Sequence, residues 1–175
     1  NVTGVQTCAL PISCGAVHNW ETMELMAEWH GHIDPDLFGY ELRRLGILYN
    51  KALIACEDNN HGGTTNRCLR RLSYPNLYYR QEMDDKVRKR TARLGWLTTS
   101  TSKPVMIDAL KQTCRDGAHM PNADLIDEMT TYIYDESGGM NAEEGCHDDR
   151  VIASAIAAEA RKSWGIGRHF PSADR

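Results

Sequence analysis

The 175-residue sequence has no Cys-x-x-Cys pair, no internal repeat and no apolar run approaching the ~18 residues that a bilayer crossing needs. Its six cysteines, Cys8, Cys14, Cys56, Cys68, Cys114 and Cys146, are scattered. That spacing excludes a zinc knuckle and a disulfide framework, and it leaves free thiols of a reducing compartment as the expectation. Positive charge is also lacking. With 20 Lys+Arg against 24 Asp+Glu the net charge is −4, so any hold on nucleic acid must come from a local patch. There is no G-x-x-x-x-G-K-[ST] and not even a Gly-Lys pair, so nothing in the chain cradles ATP phosphates. The length, against about 100–200 residues per domain, fits one domain with a real core.

Local pattern gives an α/β order. Two short mixed stretches, Cys14–Trp20 and Glu24–His30, predict a β-hairpin. Asp34-Pro35-Asp36 then starts a helix whose apolar positions, from Leu37 and Phe38 to Leu48, recur at helical spacing as far as Asn50. Ala52-Leu53-Ile54-Ala55-Cys56 is a continuous apolar run of strand length, and it stops abruptly at Glu57-Asp58-Asn59-Asn60-His61-Gly62. It predicts a buried strand with a polar mouth. A helix from Thr64/Thr65 to Leu72 and a short strand at Leu77-Tyr78-Tyr79 follow. Lys86–Arg93 carries five basic residues in eight and reads as a loop or hairpin insertion. Helical periodicity returns over Val105–Cys114, Asp124–Tyr134 and the Ala-rich Asp149–Arg161, and the last dozen or so residues, 164–175, read as a tail.

Candidate chemistry sits at element boundaries. Glu57 directly follows the apolar run, and Asp148 and Asp149 open the last helix. Carboxylates so placed can converge over one sheet edge and hold hard divalent cations, which in pairs cleave phosphodiesters. Each has an ordinary alternative: a helix N-cap for Asp148-Asp149, and a loop ion pair for Glu57. Two adjacent aspartates repel, however, and a counter-cation would offset that. His30-x-His32 could ligate a metal or be merely solvated. Cys56 and Cys146 flank the acids without an evident base. Arg88, Lys89 and Arg90 could track phosphates or form a solvated face, and Lys103 could approach a phosphate or be a surface lysine.

The motifs taken together and in order resemble a known family. E-D-N-N-H-G (57–62), S-Y-P-N-L-Y (73–78), G-W-x-T (95–98), S-K-P (102–104) and G-C-H-D-D-x-V (145–151) are similar to the C-terminal nuclease domain of the large terminase subunit of tailed bacteriophages, with A-E-W-H-G-H-I-D-P-D (27–36) fitting upstream. The resemblance covers nearly all of the chain from Ser13 to Ala160. It implies an RNase H-like α/β fold, a mixed β-sheet flanked by helices. It further implies metal-dependent cutting of concatemeric double-stranded viral DNA, with three carboxylates holding two Mg²⁺ or Mn²⁺ ions. Glu57 matches the acid after the family's fourth strand. Asp149, assisted by Asp148, matches the last acid. Portal and small terminase subunit are the implied partners, and the packaging complex in the host cytoplasm is the implied location.

One departure bears on activity. The family's first, central strand, which ends in a catalytic Asp, has no counterpart here. Residues 2–12 instead resemble the in-frame translation of a common short-read sequencing adapter, which places the nuclease-like domain at 13–163 and its ATPase outside this chain. Unpaired edges within a sheet are costly and sticky, so the chain is expected to fold poorly and not to cut DNA unaided. Two other readings remain: a different RNase H-like nuclease, such as a junction resolvase, or a non-catalytic DNA-binding or docking module working through its basic run.

Overall fold

The computed structural model describes residues 11–59, 61–84, 89–134 and 139–165. The first pair of strands, β1 (Ile12–His18) and β2 (Leu25–His32), forms an antiparallel hairpin with Cys14 opposite His30 and Ala16 opposite Glu28. Asn19 makes the turn, its side-chain oxygen accepting from the N–H groups of Glu21 at 2.8 Å and Thr22 at 3.1 Å. The expected hairpin is present but shifted toward its open end, so Ile12 and His32 close the ladder. Helix α1 (Pro35–Leu48) starts as its sequence dictates: the Asp34 carboxylate accepts from the Asp36 N–H at 2.8 Å, and Pro35 occupies a first-turn position that needs no donor.

The apolar run at 52–56 departs from expectation. It is half-buried and not a continuous strand, with single parallel bridges from Ile54 to Leu77 and from Glu57 to Trp96. The reason lies in its edges. The Ile54 N–H donates to the Asn76 carbonyl and the Ile54 carbonyl accepts from Tyr78, both at 2.9 Å. Leu53 and Ala55 necessarily turn their backbone groups the other way, where no described strand pairs with them.

Helix α2 (Gly62–Arg71) follows, with Arg70 and Arg71 complementing its C-terminal dipole. Residues 89–93 of the basic run lie on a hairpin, β3 (Tyr79–Asp84) with β4 (Lys89–Leu94), the rest of the run falling outside the described residues, and Leu77, expected in a short strand, contributes only a bridge. Helix α3 (Ser102–Arg115) begins before Val105 because Pro104 is tolerated in a first turn, and the Thr99 and Ser102 side chains bond to each other's N–H groups at its start. The helix expected to reach Tyr134 ends earlier. Helix α4 (Ala123–Thr130) gives way to β5 (Tyr132–Tyr134), where β-forming Tyr-Ile-Tyr pairs with β6 (Met140–Ala142). Helix α5 (Asp149–Gly165) runs beyond Arg161.

The result is a mixed α/β chain of five helices and three two-stranded antiparallel sheets among the described residues. Successive residues of β1 face opposite helices: a Cβ on Gly15 would meet Leu42 and Phe38 of α1, whereas Ala16 packs into the main core with Val151, Ala155 and Ile156 of α5. The 53–57 segment alternates likewise, Leu53 and Ala55 facing that core and Ile54 and Cys56 facing Leu69 of α2. Strand-like segments therefore lie between an α1/α2 layer and an α3/α5 layer. No described helix is long and apolar enough to cross a membrane.

Candidate active site

Glu57 stands where the apolar run gives out. The turn after it leaves no room for a side chain at Gly62, whose Cβ would collide with the Glu57 carbonyl, so a glycine is needed there. Among the described residues Glu57 makes no ion pair. The ion pair belongs to its neighbour: Asp58 meets Arg80 at 3.1 Å, and Arg80 also donates to the carbonyls of Leu94 at 2.8 Å and Gly95 at 3.1 Å. That web ties the root of the β3–β4 hairpin to the Glu57 turn.

The aspartate pair is held differently from an ordinary helix cap. The Asp148 carbonyl accepts the first helical hydrogen bond, from Ile152 at 2.8 Å, which makes Asp148 the residue at the helix threshold. Yet the free N–H groups of Arg150 and Val151 donate to the carboxylate of Glu128 on α4, at 2.8 and 3.3 Å. Glu128 takes over the capping and leaves the carboxylates of Asp148 and Asp149 available. Arg150 completes the clamp with bonds to Glu128 (2.7 Å), Glu28 on β2 (2.8 Å) and Asp124 (2.9 Å). Burial works against its charge, but the hydrogen bonds to Glu128 and Glu28 outweigh that and hold its pKa above the usual value. Sequence reading missed Glu28, Glu128 and Arg150. No local signal marks them, since their partners lie far away in the chain.

Lys103 is not a loose surface lysine. Its side chain is 23% exposed, and its Nζ lies 3.9 Å from Asp148 Oδ2, donates to Asn141 Oδ1 at 2.9 Å and sits 5.8 Å above the Tyr132 ring. Burial raises the Asp148 carboxyl above its usual range; Lys103 opposes this, while Asp149 and Glu128 add to it. His147 Nδ1 is 4.0 Å from Asp149 Oδ2.

Glu57, Lys103, Asp148 and Asp149 all line one cavity of about 1040 Å³. Glu57, Asp148 and Asp149 bring oxygen donors suited to a hard cation, and the repulsion from Asp149 and Glu128 that adds to burial in raising Asp148 is what a bound cation would relieve. Among the described residues no three Asp, Glu, His or Cys side chains converge tightly enough to form a cage by themselves. A Mg²⁺-type ion binds through one or two carboxylates and keeps several waters, so the adjacent Asp148 and Asp149 fit such an ion as a partial shell.

The other candidates lie elsewhere. Arg90 is exposed on β4 and outside the cavity lining; Arg88 lies outside the described residues, and the backbone of Lys89 stands opposite that of Asp84 in the β3–β4 ladder. His30 and His32 sit on β2, and His30 Nε2 is buried with no hydrogen-bond partner among the described residues. Burial, with Glu57 and Asp58 nearby, pushes the Cys56 thiol up to about 12, which removes it as a nucleophile. Cys146 is exposed. No protein-family model and no curated protein matches the chain.

Proposed function

We propose that this chain is the nuclease portion of a terminase-type, RNase H-like DNA endonuclease that works with Mg²⁺ or Mn²⁺. The observation that carries the reading is the shared cavity: Glu57, Lys103, Asp148 and Asp149, drawn from three separate segments of sequence, line one wall system. Glu57, Asp148 and Asp149 would hold the metal, which when bound supplies an activated water and stabilises the leaving oxygen of a phosphodiester. Lys103 brings a positive charge to the same mouth, where it can hold a non-bridging phosphate oxygen. Arg150 and Glu128 position the aspartates by fixing the start of α5.

The ordered motifs imply three separately placed carboxylates, whereas the described residues bring Glu57 and one adjacent pair. Metal binding, rather than cutting by the isolated chain, therefore tests the reading. Titration calorimetry with Mn²⁺ at neutral pH should show saturable binding, weakened at least about tenfold by Glu57→Gln and by Asp149→Asn while circular dichroism stays unchanged. Equal affinity in both variants and the parent would sink it. Retention assays with linear duplex and a four-way junction separate the nearest alternative, because junction preference would point to a resolvase.

A further inference from the structure

We propose that the cleft between α2 and the β3–β4 hairpin is a binding site for a phosphate ester, held by Arg67 and Arg70 with Arg93 at the rim and a fixed Arg80 behind. The cleft, of about 450 Å³, shares no lining residue with the metal cavity. Glu57 lines the cavity and its neighbour Asp58 lines the cleft, so the two sites adjoin at one turn without depending on each other.

Three elements build the walls. Gly63, Arg67 and Arg70 recur at i, i+4 and i+7 along one face of α2. Arg80 of β3 stands opposite Arg93 of β4, so both side chains leave the hairpin on one face, and Glu82, two residues on, shares it. Arg90, three positions before Arg93, leaves by the opposite face. Gly63 keeps the floor open: its Cβ would stand 3.6 Å from Asp58 Oδ1 and 3.7 Å from Arg67 Nη1, which puts the Arg67 guanidinium over the cleft beside Asp58.

Four arginines thus meet two carboxylates, and both carboxylates are already engaged. Asp58 accepts from Arg80 through Oδ2 at 3.1 Å and from Asn66 through Oδ1 at 3.4 Å. Glu82 accepts from Arg80 through Oε1 at 2.6 Å, and its Oε2 stands 3.7 Å from Arg93. Among the described residues Arg67 bonds only to the Thr64 hydroxyl, at 2.9 Å, and the Arg70 side chain has no partner. Arg71 of the same helix shows the contrast, pairing with Asp36 at 2.8 Å. Two unmatched positive charges one turn apart repel, and an anion between them relieves the repulsion.

Guanidinium forks match phosphate, two N–H groups to two oxygens, and the two spare charges match a phosphate dianion or neighbouring diesters. The space exceeds that of a bare phosphate, which leaves room for the group esterified to it. A nucleic-acid strand or a free phosphate ester presents the same chemistry to the arginines.

The probe is inorganic pyrophosphate, titrated by calorimetry into the full chain with EDTA present so that no metal carries the anion. Binding should saturate, and Arg67→Gln and Arg70→Gln should each weaken it at least about fivefold with circular dichroism unchanged. Arg43→Gln removes the same charge from an exposed position on α1 and should bind as the parent does. Duplex DNA retention over a range of salt separates the sources. If a strand supplies the phosphate, Arg67→Gln and Arg70→Gln each lower the salt slope by about one; if a free ester supplies it, the slope stays as it was. Mn²⁺ affinity should be the same in both variants as in the parent, so loss of this site and loss of the metal site read out separately. If Arg67→Gln does not fold, Arg70→Gln carries the test together with Arg70→Lys, which keeps the charge and loses the fork. No saturable binding, equal binding by the parent and the α2 variants, or an equal loss in Arg43→Gln would each overturn the proposal.

Discussion

Glu128 grips Arg150 twice, through Oε2 to its backbone N–H at 2.8 Å and through Oε1 to its guanidinium at 2.7 Å. One carboxylate thereby caps α5 and neutralises the arginine that joins α4 to β2. The Arg150 and Glu128 side chains are only 12% and 8% exposed, so removing one partner leaves a charge stranded. Arg150→Met should cost about 3–5 kcal/mol in urea unfolding, because Glu28 and Glu128 would stay buried without a counter-charge. A loss under about 1 kcal/mol would mean that the clamp is dispensable.

Asp148 gives a pH dependence of known sign. Burial and the neighbouring Asp149 and Glu128 raise its carboxyl in the folded state, against Lys103, from an ordinary value of 3.8. The folded chain thus holds this proton more tightly than the unfolded one does. The stabilising contribution is full below about pH 4 and is lost as pH rises through the raised value. Asp148→Asn, which cannot lose a proton, should match the parent in acid and exceed it in urea midpoint at neutral pH without metal. Identical midpoints at neutral pH would contradict the assignment.

Local structure was largely legible in the sequence, and relations across the chain were not. Asp34-Pro35-Asp36 announces its helix because cap and proline act within a turn. Tyr132–Tyr134 misleads, since a helical period carried on from Leu125 is overridden by pairing with residues 140–142. Glu57, Asp148 and Asp149 stand out as acids at element ends. That Glu128 would relieve the aspartates of capping could not be read, because the bond spans 22 positions.

Gly95 and Gly117 separate two costs of adding a side chain. Both have positive φ, +81° and +85°. A Cβ at Gly95 would meet Asn66 Nδ2 at 2.5 Å and the Cys56 carbonyl at 2.7 Å, whereas at Gly117 no atom of the described residues lies within 4 Å. Gly117→Ala should therefore cost only the conformational term, about 1 kcal/mol. Gly95→Ala adds a backbone collision beside Glu57 and should cost clearly more, about 2–4 kcal/mol on a par with other strained sites. Equal losses in denaturant titrations would remove the steric argument.

Thiol chemistry should follow burial. Cys68 is 1% exposed, Cys56 is pushed up to about 12, and burial also raises Cys14; Cys114 and Cys146 are exposed, although burial raises the Cys114 thiol as well. Brief treatment with a disulfide reagent in native buffer, followed by peptide mapping, should find label on Cys114 and Cys146 ahead of the other three. Early label on Cys56 would show that the wall beside Glu57 opens readily. Cys8 lies outside the described residues.

The basic hairpin and the acidic cavity should be separable by experiment. Arg90 lies four positions before Leu94, the end of β4 nearest the Trp96 bridge to Glu57, so the extended strand carries it about 13 Å from that end. At that distance salt screens one group from the other, the Debye length being about 8 Å at physiological ionic strength. Arg90→Ala should weaken duplex DNA retention and reduce the salt slope by about one, with Mn²⁺ affinity unchanged. Asp149→Asn should do the reverse, lowering Mn²⁺ affinity while leaving metal-free retention intact. If Arg90→Ala leaves retention unchanged at low salt, that face of the hairpin is a solvated one, and any contact with DNA must be sought at the arginine cleft beside α2 or at Lys103 and the mouth of the cavity.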